Sequence, residues 1–203
     1  MPTTAVQIIN NALSNLGHTI FIDSRDDEGQ EVAVSDVHYD ATIAYVLEEF
    51  WWAFARRFVT LGLVEDFTAL TTPHKWFYAY RYPVNTVTIR GIVTGPGELE
   101  TNPATWEIGS DDTGRLIYTN KPEAVVEVTK LIVDPMLYTA MFAEAVSWRL
   151  AFKMVPGIAK DKSIAGNMLT LYNATIQIAE TKDANEAYYN PQLQESEAIR
   201  ARA

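Results

Sequence analysis

Asp23, Asp26, Asp27, Glu28 and Glu31 crowd one short stretch, with Gly29 among them. Acids this close could cradle calcium, but a calcium loop needs oxygen donors at alternate positions and glycine at the sixth. Counted from Asp23, Arg25 takes the third position and Glu28 the sixth, so the register fails and the segment reads as a solvated acidic loop. Glu48 and Glu49 are adjacent; neighbours on a helix point about 100° apart, too divergent for a paired general acid and base. A glycosidase needs two carboxylates facing across a cleft, and no spacing here selects such a pair. His18, His38 and His74 share no metal-ligand spacing. Cysteine is absent, which excludes disulfides and thiolate ligands. There is no GxSxG, P-loop, HExxH or GxGxxG, and no phosphate-binding helix follows Gly91, Gly95 and Gly97. The expectation is a non-enzymatic chain with no metal and no cofactor.

The second concentration of chemistry is aromatic. FWWAFARRF (50–58) and WFYAYRYP (76–83) lie close together in the chain. In the second block Trp76, Tyr78, Tyr80 and Tyr82 fall on one side of an extended strand, with Phe77, Ala79 and Arg81 on the other. An exposed row of rings stacks sugars, which would make this a carbohydrate-binding module. A buried row is core, favoured because rings supply large buried area and the first block continues a helical apolar pattern. The predicted core is Trp51, Trp52, Phe54, Trp76, Tyr78, Tyr80 and, later in the chain, Trp148, with the two aromatic blocks meeting as one joint.

The elements that would hold these residues are legible from period and punctuation. Thr4 with Gln7 fits a capping box, Val6, Ile9, Leu13 and Leu16 give a helical stripe, and Gly17 ends it. Ser35 is a suitable N-cap for a long helix near 36–58 that enters the first aromatic block, with Arg56 and Arg57 at its C-terminal end. The period then changes. Strands are expected at WFYAYRYP, 86–92, 106–108, 114–119 and 124–133, with Asp111, Asp112 and Gly114 marking a turn. Asp134 and Pro135 restart helix as N-cap and first residue, and Leu137, Met141, Ala145, Trp148 and Phe152 make its stripe. A last helix covers about 159–184, with Ile164, Met168, Leu171 and Ile178 on one face. Beyond Asp183 the composition is too polar to fold alone.

The fold expected is therefore α+β: a bundle of about four helices (1–59 and 134–184), an inserted small antiparallel β-region (60–133), and an extended C-terminal tail (185–203). Composition agrees with a globular chain, 48% apolar and 21% charged. No apolar run approaches the ~20 residues that cross a bilayer, and the first residues lack a basic segment and a cleavage pattern, so neither membrane nor signal peptide is expected. A net charge of −10 opposes non-specific clamping of DNA; it suits a surface that nucleic acid passes without sticking.

The aromatic motifs also carry a likeness. Trp52, Phe54, Ala55 and Arg56/Arg57, then W-x-Y-A-Y-x-Y-P from Trp76 to Pro83, then Arg90–Gly91–Ile92 together resemble the head-to-tail adaptor of short-tailed bacteriophages, also called tail tubular protein A. Gly114 to Thr119 resembles that family's G-x-x-I-x-T strand. Asp134–Pro135, Phe142 and Arg149–Leu150–Ala151 resemble its third helix, and Asp183–Ala184 with Glu186 the end of its last. The likeness runs from Ala12 to Glu186. It implies a structural virion protein at the head–tail junction, made in the host cytoplasm. About twelve copies would form a ring joining the portal protein to a downstream nozzle or tube protein, with double-stranded DNA passing through unbound. On that basis Tyr188, Tyr189, Pro191, Leu193, Ile199 and Arg200 are candidates for contact with the portal or a neighbouring copy, and Asp23, Asp26, Asp27 and Glu28 for the channel lining. The alternatives are a carbohydrate-binding module or a peptidoglycan-cleaving tail protein.

Overall fold

The computed structural model describes residues 3–69, 74–93 and 104–187. The first helix, α1 (Ala5–Asn15), begins as its capping box dictates: Gln7 N donates to Thr4 Oγ1 at 3.2 Å and Thr4 N to Gln7 Oε1 at 3.1 Å. It stops where Gly17 takes a φ of 73°, a conformation that costs a residue without Cβ little.

The second helix, α2 (Gln30–Glu49), departs from expectation at both ends. Ser35 is not its cap but lies buried inside it, its hydroxyl donating to the Val32 carbonyl at 2.9 Å. At Phe50 the backbone becomes extended (φ −136°, ψ 155°), and Trp52 turns under the helix end, its indole N–H donating to the Val46 carbonyl at 2.8 Å. The aromatic block is thus a corner. A 3-10 turn (Ala53–Ala55) leads straight into a strand, β1 (Arg56–Thr60), so Arg56 and Arg57 open a strand rather than close a helix.

Six more strands follow: β2 (Leu63–Asp66), β3 (Tyr78–Arg81), β4 (Thr86–Val93), β5 (Trp106–Asp111), β6 (Gly114–Thr119) and β7 (Val125–Lys130). They form two antiparallel sheets, ordered β1-β7-β4 and β2-β3-β6-β5. The β5–β6 turn closes as its sequence predicts, with Thr113 N and Gly114 N both donating to Asp111 Oδ1 at 2.8 Å. Asp134 does cap Pro135, but only for a single 3-10 turn (Pro135–Leu137). The third helix, α3 (Ala140–Met154), starts afresh with Thr139 as N-cap, and α4 (Lys162–Ala187) completes the chain's described part.

The expected helical bundle with a small β-region is overturned. Among the described residues seven strands in two sheets stand beside four helices, a mixed α+β arrangement in which the sheets have an interior of their own. Ile89, Ile92, Val126 and Val128 from one sheet meet Tyr80 and Ile117 from the other. The helices enclose a separate core around Ile8, Leu13, Leu47, Trp52, Phe142 and Leu150. The physical reason for the error is edge exposure. Every residue of β2 and all but one of β1 face solvent, so neither carries the apolar alternation that announces a strand.

The aromatic blocks do not meet. Trp52 packs edge-on against Phe50 and Phe142, with ring centroids 5.2 and 5.0 Å away, in the helical core. Tyr80, flanked by Tyr78, belongs to the core between the sheets. Trp51, expected inside, is 56% exposed, because the chain reverses between it and Trp52, which is 1% exposed. Of the other predicted core residues Trp76 is buried, and Phe54, Tyr78 and Trp148 are half-buried. The face of α4 also differs. Met168, Tyr172, Ile176 and Ala179 turn inward, whereas Leu171 and Ile178 stand out in solvent.

Candidate functional site

The acidic loop does not gather its charges. Asp27 Oδ2 accepts from the amides of Asp23 and Ser24, both at 2.9 Å, so one carboxylate is spent on the loop's own turn. Arg25 leaves the loop to pair with Asp36 on α2 at 2.8 Å and lies over the Tyr39 ring, 4.8 Å from its centroid. Asp23, Asp26, Asp27 and Glu28 are all exposed. Among the described residues no group of three or more His, Asp or Glu is arranged to hold a metal ion. No helix there is long and apolar enough to cross a membrane. The candidates Tyr188, Tyr189, Pro191, Leu193, Ile199 and Arg200 lie outside the described residues.

What the fold does assemble is a joint. Arg90 sits at a bulge in β4, where the register with β7 shifts between Ile89 and Gly91. The bulge aims its guanidinium at the α2–β1 corner. Nη2 donates to the Trp52 carbonyl at 3.0 Å and Nε to Thr129 Oγ1 at 3.1 Å, while Nη1 lies 3.6 Å from Glu127. The side chain is 6% exposed. Glu127 in turn holds Arg56 at 2.8 Å. Over this charged row lie two open rings: Trp51 above Arg90 at 5.5 Å and Phe58 beside Arg56 at 5.2 Å. An exposed face of Trp, Phe and Arg has the composition of a protein-binding surface.

A second feature lies between α1 and α3. A groove of about 480 Å³ is lined by Gln7, Asn11, Ser14 and Asn15 from α1 and by Ala140, Ala143, Glu144, Ser147 and Trp148 from α3. Asn15 donates to Ser147 Oγ at 3.4 Å and ties the two helices along its length. On the other side of α3, Arg149 rests against the rings of Tyr45, Phe152 and Tyr172 at 4.2, 5.3 and 5.2 Å. The Tyr172 hydroxyl donates to Glu49, and burial first, then that carboxylate, push its pKa far up, so it stays a neutral donor.

Sequence reasoning found Trp52 and the Arg90 segment but not the bond between them, since a bulge leaves no composition signal. It missed the groove altogether. The available sign was charge: residues 1–22 hold no Asp, Glu, Lys or Arg. No family model matches this chain, and no curated protein matches it.

Proposed function

We propose that the chain is a head–tail connector of a bacteriophage virion, a non-enzymatic subunit whose copies form a ring between the portal and the tail. The observation that supports this most is the meeting of motif segments far apart in sequence. Trp52 and Ala55 of the first motif, Arg90 of the strand motif and Phe142 of the third-helix motif form one joint, through the Arg90–Trp52 bond and the Trp52–Phe142 ring contact. The likeness therefore falls on residues that set how helices and sheets are fastened, where a rigid load-transmitting subunit needs its fasteners. The acidic surface suits DNA transit, because like charge discourages adhesion. In this role Asp23, Asp26, Asp27 and Glu28 line the channel and the C-terminal residues grip the portal or a neighbour.

The test is negative-stain electron microscopy of the purified protein mixed with the portal of the same phage. Closed rings seated on the portal are expected. Protein that stays monomeric and unattached in that mixture overturns the assignment.

A further inference from the structure

The fourth helix holds two large apolar side chains, Leu171 and Ile178, out in solvent. Leu171 is 42% and Ile178 53% exposed, and Ile164, in line with them at the same seven-residue spacing, is half-buried against the helical core, so the seam opens from Leu171 onward. Seven residues of helix advance about 10.5 Å, and a seven-residue apolar repeat is the seam along which two helices pack. Ala174 and Asn167 lie between these knobs on the same side of the helix and leave a partner room to approach. This stretch of the helix is also uncharged: residues 163–179 hold no Asp, Glu, Lys or Arg, although several of them face solvent. A helix exposed on one side normally carries charge there.

The groove between α1 and α3 has the matching form. On its α3 side Ala140 and Ser147 are themselves seven apart, with Ala143 between them, all small. Its rim is almost uncharged, with Glu144 the one acid among amides and hydroxyls. The segments 1–22 and 163–179 are the two longest without a charged residue in a chain of net charge −10. Two copies of so acidic a protein repel across most of their surface. These two neutral surfaces can meet without that penalty.

We infer that the exposed seam of α4 docks into the α1–α3 groove of a second copy of this chain, with Leu171 and Ile178 over the small residues of α3. The two sides of the contact are different residues, so it is heterologous and passes from copy to copy, as ring closure requires. It rests on the connector assignment for its setting and adds which surfaces join the subunits.

The test uses two substitutions at exposed positions, Ile178→Arg on the seam and Asn11→Arg on the groove wall, each checked for wild-type helicity by circular dichroism. In the portal mixture, wild-type protein is expected to form rings and each variant to lose them, with association at least tenfold weaker by sedimentation. An equimolar mixture of the two variants keeps one intact seam and one intact groove, so it is expected to form dimers and nothing larger. Rings formed by either variant as readily as by wild type overturn the inference and leave the connector assignment standing. A wild-type protein that forms no ring overturns both.

Discussion

Arg90 and Trp52 are joined by a hydrogen bond of 3.0 Å from the guanidinium Nη2 to the backbone carbonyl, between a bulged strand and the corner that ends α2. The bond fastens the sheets to the helices, and its donor is almost wholly removed from water. Replacing Arg90 with Ala leaves the Trp52 carbonyl with the Ala55 amide alone, takes the Nε donor from the Thr129 hydroxyl and removes one of two cations beside Glu127. The expected cost is about 2–4 kcal/mol, the range for breaking a buried charged network. Arg90→Lys keeps the charge but not the forked geometry and is expected to recover less than half of it. Urea unfolding monitored by circular dichroism measures both; an alanine variant within 0.5 kcal/mol of wild type, a margin on the order of ordinary surface changes, contradicts the fastening role.

Two adjacent tryptophans give a sharper contrast. Trp52 is enclosed by Phe50, Phe54 and Phe142 and bonds the Val46 carbonyl, so Trp52→Ala is expected to cost about 3–5 kcal/mol. Trp52→Phe retains most of the packing and loses the N–H, for about 1–2 kcal/mol. Trp51→Ala removes only an exposed ring over Arg90 and is expected to cost about 1 kcal/mol or less. Thermal melts of the three variants decide the order; equal losses at 51 and 52 would mean the corner is wrongly assigned.

That contrast marks the boundary of what the sequence discloses. Capping at Thr4, the stop at Gly17, the turn at Asp111–Gly114 and the strand at 114–119 are all written in local chemistry and stand where the residues predict. The corner at Phe50 is not, because FWWAFARRF keeps helical apolar spacing and only tertiary burial of Trp52 decides against helix. The inner face of α4 is hidden from the sequence for a related reason. Leu171 and Ile178 are apolar at helical spacing whether they meet the same chain or another one, and period alone does not say which.

Gly109 in β5 offers a test of sheet register. A Cβ added there would lie 2.5 Å from Tyr118 Cε2 across the strand pair, inside any permitted contact. Glycine to alanine in a strand otherwise favours folding slightly, by reducing the freedom of the unfolded chain. Here the ring must swing away, so Gly109→Ala is expected to destabilise by about 1–3 kcal/mol. Combining it with Tyr118→Ala removes the obstacle, and the double variant is expected to be more stable than the sum of the single losses allows. Simple additivity in denaturant titrations would place the two residues out of contact.

Acid should loosen the β5–β6 turn before it unfolds the chain. Asp111 accepts both Arg81 Nη1 and Nη2, at 3.0 and 2.9 Å, as well as the hydroxyl of Thr113 and the amides of Thr113 and Gly114. The Arg81 bonds first, then those from Thr113, hold its carboxyl far below the usual carboxylate range. The folded pKa is thus lower than the unfolded value of about 3.9, so near and below that pH the unfolded chain binds more protons. The stabilisation is complete above about pH 4 and falls away as pH drops through the unfolded value toward the folded one. Glu107 is lowered by Lys75 and Trp76 and titrates in the same direction, so Asp111→Asn is needed to isolate the turn. The protection factors of the Thr113 and Gly114 amides, each taken against the intrinsic exchange rate at the same pH, are expected to fall at acid pH in the wild type and to be low at every pH in the asparagine variant. A wild-type carboxyl carbon signal for Asp111 titrating at or above about 3.9 by NMR would remove the lock.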